Sequence, residues 1–150
     1  MLYEGDLPFF DDELDLQDAV FEGMLLQGCI FDVLSLAGAN FRGSDLYWSI
    51  FFLANLTGTD FEGAQLQGAD LKKTILTNAN LRNANLGRDN LGGSTQLQGA
   101  NLSGANLDGT KLEGCEYDSE TIFPLNFAPQ QRGMIFKASA LAADKTKAPS

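Results

Sequence analysis

Leucine or phenylalanine recurs at every fifth position without a break over Leu16, Phe21, Leu26, Phe31, Leu36, Phe41, Leu46, Phe51, Leu56, Phe61, Leu66, Leu71, Leu76, Leu81, Leu86 and Leu91. The frame then slips by one residue and continues at Leu97, Leu102, Leu107, Leu112 and Tyr117. Two positions before a centre the residue is usually small, as in Ala39, Ser44, Ala54, Thr59, Ala64 and Ala100. Two positions after it, glycine holds 12 of 21 sites, although the chain contains only 16 glycines. A period of five matches neither the 3.6 of an amphipathic helix nor the 2.0 of a strand. It does match a short extended segment followed by a corner. On such a segment the centre and the residue two before it point to one side, and the residue between them to the other. A large and a small residue therefore face inward, and an Asn, Asp or other polar residue faces outward. Glycine supplies the corner because it tolerates backbone angles closed to other residues. Four corners close a square coil of 20 residues, and coils stack at the strand spacing of ~4.8 Å.

Residues 20 apart then stack, which the outer positions can test. Glu22, Arg42, Glu62 and Arg82 alternate in sign at that step, an arrangement that avoids a like-charge ladder. Leu and Phe alternate through Leu66, which places Phe on two opposite sides of the first coils and keeps the core volume even. Units such as ANLTGTDFEGAQLQGADL and ANLRNANL resemble the pentapeptide repeat family, whose motif is A(D/N)LXX. The resemblance covers about residues 14–118. It implies an all-β fold, a right-handed quadrilateral β-helix of about five 20-residue coils, and it points to a relative of cyanobacterial members.

The ends depart from the pattern. Residues 1–13 read as an acidic N-terminal cap, with the larger inward residues Leu14, Met24 and Leu34 closing the first coil and LPFFDD folding over it. Residues 119–137 leave the repeat and bring Phe123, Phe127, Met134 and Phe136 as lid residues, with Pro124 and Pro129 opposing a regular helix. Residues 138–150 read as a disordered tail. Within the solenoid, Asp89 falls in an inward slot, where a bare carboxylate is costly. Just after it the frame slips at 92–96, which reads as a bulge at Gly92–Gly93 with Asp89 bonded to freed amides or turned outward.

Composition narrows the chemistry. The chain of 150 residues has no histidine, which removes Ser-His-Asp and Cys-His nucleophile pairs and histidine metal ligands. Cys29 and Cys115 both fall in small inward slots about 20 Å apart at the ~4.8 Å coil spacing, too far for a disulfide. They read as buried thiols of a reducing, cytoplasmic compartment. The core is continuous, so no catalytic, cofactor-binding or metal site is expected. No apolar run approaches the ~20 residues of a membrane span. The first 15 residues carry six acids and no base, unlike a signal or transit peptide. Of the net charge of −10, residues 1–41 supply nine acids and no base, while residues 42–150 hold eleven acids and ten bases. Such a balance argues against direct binding of nucleic acid or anionic membranes, and the acidic end reads as a polar cap that limits end-to-end stacking.

One corner of the outer surface is apolar. Ile30, Val33, Tyr47, Trp48, Ile50, Phe52 and Leu53 all fall at outward or corner positions, with Gly28 and Gly68 below and above Trp48 leaving the indole uncrowded. A contiguous apolar patch marks a partner site, and Tyr and Trp are enriched in binding hot spots. The expectation is a non-enzymatic scaffold that binds an unidentified protein partner through this corner, as a monomer or a patch-mediated homodimer; the alternative cover is one of the chain's own terminal segments. A second reading follows from the resemblance: a DNA mimic acting on DNA gyrase or another DNA-binding protein. No long loop insertion of the kind found in fluoroquinolone-resistance relatives is evident, and the near-neutral upper coils weigh against mimicry.

Overall fold

The computed structural model describes residues 14–139, so the expected N-terminal cap and all but the start of the tail lie outside the described residues. The chain winds as a four-sided parallel coil. Single-residue bridges join Asp15 to Ser35, Val20 to Asn40, Leu25 to Asp45, Ile30 to Ile50 and so on at steps of 20 as far as Gln65 and Asn85. Each outward residue before a centre makes two backbone bonds to the coil beneath. Asn40 N–H donates to Ala19 O at 2.8 Å, and Phe21 N–H donates to Asn40 O at 2.6 Å.

The repeat motif has a local physical reason at each position. A centre carbonyl accepts from the N–H three residues on, as in Ala19 N–H to Leu16 O, and the residue two after the centre has positive φ. That is the requirement of a type II turn, and it explains glycine there. The Asn or Asp before a centre turns its side chain back on the chain. Asn40 Oδ1 accepts from Arg42 N–H and Asp60 Oδ1 from Glu62 N–H, both at 3.0 Å. Inward Ser and Thr satisfy their hydroxyls on nearby carbonyls, as Ser44 does on Phe41 O.

The core runs as a continuous column. Phe41, Phe51, Phe61 and the leucine centres from Leu36 to Leu86 are fully buried. Phe21, Phe41 and Phe61 stack in one ladder and Phe31 and Phe51 in another, and the two ladders meet edge to face at 5.6–5.9 Å. At the N-terminal end Leu16, Phe21 and Leu26 are half-buried rather than fully enclosed, and Leu14 and Met24 are exposed, because no coil lies beneath them among the described residues.

The frame slip differs from the sequence expectation. Leu91 is not a core centre; it is 85% exposed. Above Asp70 the bridges step by 26 rather than 20: Asp70 pairs with Gln96, Ile75 with Asn101, Asn80 with Asn106 and Asn85 with Lys111. Leu86 and Leu97 are therefore successive centres, and the residues between loop outward from a corner. Thr95 fills the small inward slot before Leu97, where its hydroxyl accepts from Gly68 N–H at 3.0 Å and donates to Leu66 O at 2.9 Å. The loop satisfies its own backbone through Asp89. The Asp89 carboxylate accepts from Leu91 and Gly93 N–H, and the Asp89 and Gly93 backbones bond to each other. A chance leucine in register made the six-residue insertion read as a one-residue slip.

Past Tyr117 the chain crosses the open end. Glu116–Tyr117 (β1) pairs in parallel with Ile135–Phe136 (β2), joined through a short 3-10 turn, Pro129–Arg132. Phe123 and Phe127 pack against the core, Met134 is buried and Phe136 is half exposed. Arg132 lies over the Phe127 ring and donates to Thr110 O at 2.6 Å.

Candidate functional site

The apolar corner occupies one face of the coil and its two edges. In the first three coils its outward columns read Ile30, Ile50, Asp70, then Asp32, Phe52, Lys72, then Val33, Leu53, Lys73 at the following corner. Ile30 is 68% exposed, Val33 53%, Leu53 47% and Trp48 40%, while Tyr47, Ile50 and Phe52 are half-buried. Seven large apolar side chains thus face outward together here, while Val20, Leu25 and Ile75 are further exposed apolar residues on other sides of the coil.

The backbone adds a second anomaly. Val33, Trp48 and Leu53 hold the left-handed corner angle at φ 55°, 57° and 61°. Glycine or asparagine adopts this conformation readily, whereas in other residues Cβ meets the carbonyl at a cost of roughly 1–2 kcal/mol. For β-branched Val33 it is a genuine outlier. These corners combine strain with exposure of apolar area, so folding alone does not account for the residues chosen.

Trp48 is not uncrowded. Its indole lies across Gly68, so close that a Cβ on that glycine would sit 2.6 Å from Cδ1. Its Nε1–H donates to Asp89 Oδ2 at 2.7 Å, and Tyr47 meets it edge to face at 5.5 Å. The Trp48 bond, followed by the Gly93 amide, lowers the Asp89 pKa from its ordinary value. The outlying carboxylate and the indole, 41 residues apart, therefore form one unit in which the inserted loop holds Trp48 in place. The only sequence signal for this was a carboxylate in a slot where it could not face inward.

The register of charges is partly as the alternation implied. Arg42 contacts Glu22, Asp60 and Glu62 at 3.9, 3.1 and 2.8 Å, and its bonds to Asp60 and then Glu62 raise its pKa. Arg82 forms no ion pair among the described residues, because Glu62 turns to Arg42 and Asn80 instead. Cys29 is half-buried and Cys115 buried, both free, and burial pushes the Cys115 thiol far up from its ordinary value. Among the described residues no cluster of His, Cys, Asp and Glu could hold a metal ion, and no helix is long and apolar enough to cross a membrane.

A repeat that builds a four-sided parallel coil from five-residue units defines a class of protein, and comparison with known proteins agrees. The family model "Pentapeptide repeats" matches in 8 copies over residues 15–51, 54–88 and 94–116, interrupted at the loop. The chain belongs to the pentapeptide repeat family, whose members form a right-handed quadrilateral β-helix. Among solved structures it is similar to a pentapeptide repeat protein of the Arabidopsis thaliana thylakoid lumen, at 29% identity over 71% of each chain with a TM-score of 0.54. It is also similar to one from the cyanobacterium Nostoc, at 30% identity over 84% of this chain and 83% of that one with a TM-score of 0.32. QnrB1, a plasmid-mediated fluoroquinolone resistance protein, aligns at 21% identity over 86% and 72% of the two chains with a TM-score of 0.39. No functionally curated protein matches the sequence.

Proposed function

We propose that the protein is a non-enzymatic interaction scaffold that docks a protein partner through the corner formed by Ile30, Val33, Tyr47, Trp48, Ile50, Phe52 and Leu53. The observation that carries this reading is the placing of Val33, Trp48 and Leu53 at left-handed corners while they remain exposed. Strain retained without burial concentrates at functional sites. The twenty centres other than Leu91 make five coils, with residues 119–137 as the C-terminal cap, and the free thiols suit a cytoplasmic protein. DNA mimicry is the weaker reading, because a duplex mimic needs acid along its length and residues 42–150 are nearly balanced. A pulldown from the source cell with tagged wild type and with the Trp48→Ala/Phe52→Ala variant tests the scaffold. The variant should lose the bound protein, the untagged chain included; equal recovery refutes the reading. Inhibition of gyrase supercoiling at micromolar protein would restore the mimic.

A further inference from the structure

We propose that the partner seated on this corner is a second copy of the chain, in an antiparallel dimer whose two-fold axis crosses the face at the level of Ile50, Phe52 and Leu53. The proposal rests on the docking surface argued above and names its occupant. Consecutive coils are in register along the face: Phe52 N–H donates to Asp32 Oδ1 at 3.1 Å, Val33 N–H to Phe52 O at 2.9 Å and Leu53 N–H to Lys72 O at 3.2 Å. Up one column the order is Asp32, Phe52, Lys72, so the charge reverses sign about an apolar centre. Beside it, Val33 and Leu53 are followed by the exposed cation Lys73.

A closed two-fold interface must be self-complementary. An axis in the plane of the face and perpendicular to the coil axis turns each column upside down against itself. Phe52, Ile50 and Leu53 then meet their own copies, Asp32 of each chain comes opposite Lys72 of the other, and Ile30 and Val33 come opposite Asp70 and Lys73 on either side of that pair. Asp32 and Lys72 lie two coil spacings apart, ~9.6 Å, on either side of the apolar level. A parallel arrangement would set Asp32 against Asp32 and Lys72 against Lys72, so charge selects the antiparallel orientation. It also sets the first described coil of each chain, which carries Asp32, opposite the level of the other that carries Lys72 and Lys73. Among the described residues Asp32 and Lys73 form no ion pair, and Lys72 has only Asp70, at 3.6 Å. Asp32 thus spends one oxygen on Phe52 N–H and Lys72 is held only at 3.6 Å by Asp70, so each keeps donors or acceptors for the other chain.

Sedimentation velocity of the full chain from micromolar to millimolar concentration tests the proposal. The wild type should pass from monomer to dimer, and Phe52→Glu should raise the dissociation constant about 30-fold or more, the loss of a hot-spot anchor. Asp32→Lys and Lys72→Asp should each be monomeric alone and dimerise when mixed in equal amounts, with far-UV circular dichroism showing that both are folded. Zero-length crosslinking of mixed isotope-labelled and unlabelled wild type should join Asp32 of one chain to Lys72 of the other, a readout that needs no variant. A monomer at millimolar concentration overturns the dimer, as do single reversals that dimerise like wild type or links confined to one chain. Ala138 and Ser139 share a groove of about 570 Å³ with Phe52 and Lys72. Dimerisation that appears only after removal of residues 140–150 would make the chain's own end the occupant and also overturn it. A monomer whose Trp48→Ala/Phe52→Ala variant still loses another protein refutes the dimer and leaves the docking surface standing. A dimer indifferent to Phe52→Glu, with equal recovery by that variant, removes both.

Discussion

Leu91 and Leu97 give a direct measure of where the coil closes. Both are leucines, and both sit in the five-residue rhythm or its continuation. Leu97 is fully buried, and its amide donates to Glu116 O at 2.8 Å in the coil above. Truncation to alanine removes the equivalent of three methylene groups, about 2.4 kcal/mol at ~0.8 kcal/mol each. The cavity term, in a core held by coils above and below, brings Leu97→Ala to about 3–4 kcal/mol. Leu91 is 85% exposed, so only about a sixth of its transfer energy is at stake, ~0.4 kcal/mol. Urea denaturation followed by circular dichroism reads the difference as a change in midpoint at constant slope. Leu97→Ala should shift the midpoint strongly and Leu91→Ala hardly at all. A loss above about 1.5 kcal/mol for Leu91→Ala, outside the range of surface substitutions, would refute the 26-residue step and restore Leu91 to the core.

Val33→Gly should leave monomer stability within about 1 kcal/mol of wild type, the left-handed strain relieved being offset by the added chain entropy of glycine and the lost burial of a half-exposed valine; a loss above about 2 kcal/mol would contradict this, and partner binding should weaken at the same time. Thr95→Val should cost about 1–3 kcal/mol in urea, since it leaves the Gly68 N–H without its acceptor. The folded pKa of Asp89 lies below its ordinary 3.8, so its contribution is complete above that pH and lost as the pH falls through the lowered value. The emission of Trp48, the only tryptophan, should therefore stay constant from about pH 8 to 5 and shift only in stronger acid, and Asp89→Ala should reproduce the shifted spectrum at neutral pH. A transition centred above pH 5 would show that Asp89 does not hold the indole.

Much of the fold was legible because each repeat encodes its own geometry. Leu36, Ala39 and Gly38 state large-inward, small-inward and left-handed corner within a few residues, and the same statement recurs often enough to exclude other periods. The apolar corner was legible for the converse reason, as Val33, Trp48 and Leu53 occupy positions where the motif calls for glycine. What the sequence could not show was which residues break the stack. Leu91 keeps the rhythm of the motif while lying outside the coil. Its removal from the core depends on Asp89 bonding to Leu91, Gly93 and Trp48, contacts that a local pattern does not contain.

The sequence by itself therefore determined the kind of object this is: a five-residue side, a four-cornered coil, a core of stacked leucine and phenylalanine, and acid gathered in the first 41 residues. These follow from short-range rules, a turn that needs positive φ and side chains that alternate across an extended segment, so they can be read residue by residue. Only the tertiary structure decided the stacking step. It set 26 residues in place of 20 between Asp70 and Gln96, turned Asp89 outward onto Trp48, gave Arg42 three carboxylates and left Arg82 without an ion pair among the described residues. Those outcomes are contests between distant groups for the same space and the same hydrogen bonds, and they are settled only when one coil lies on another.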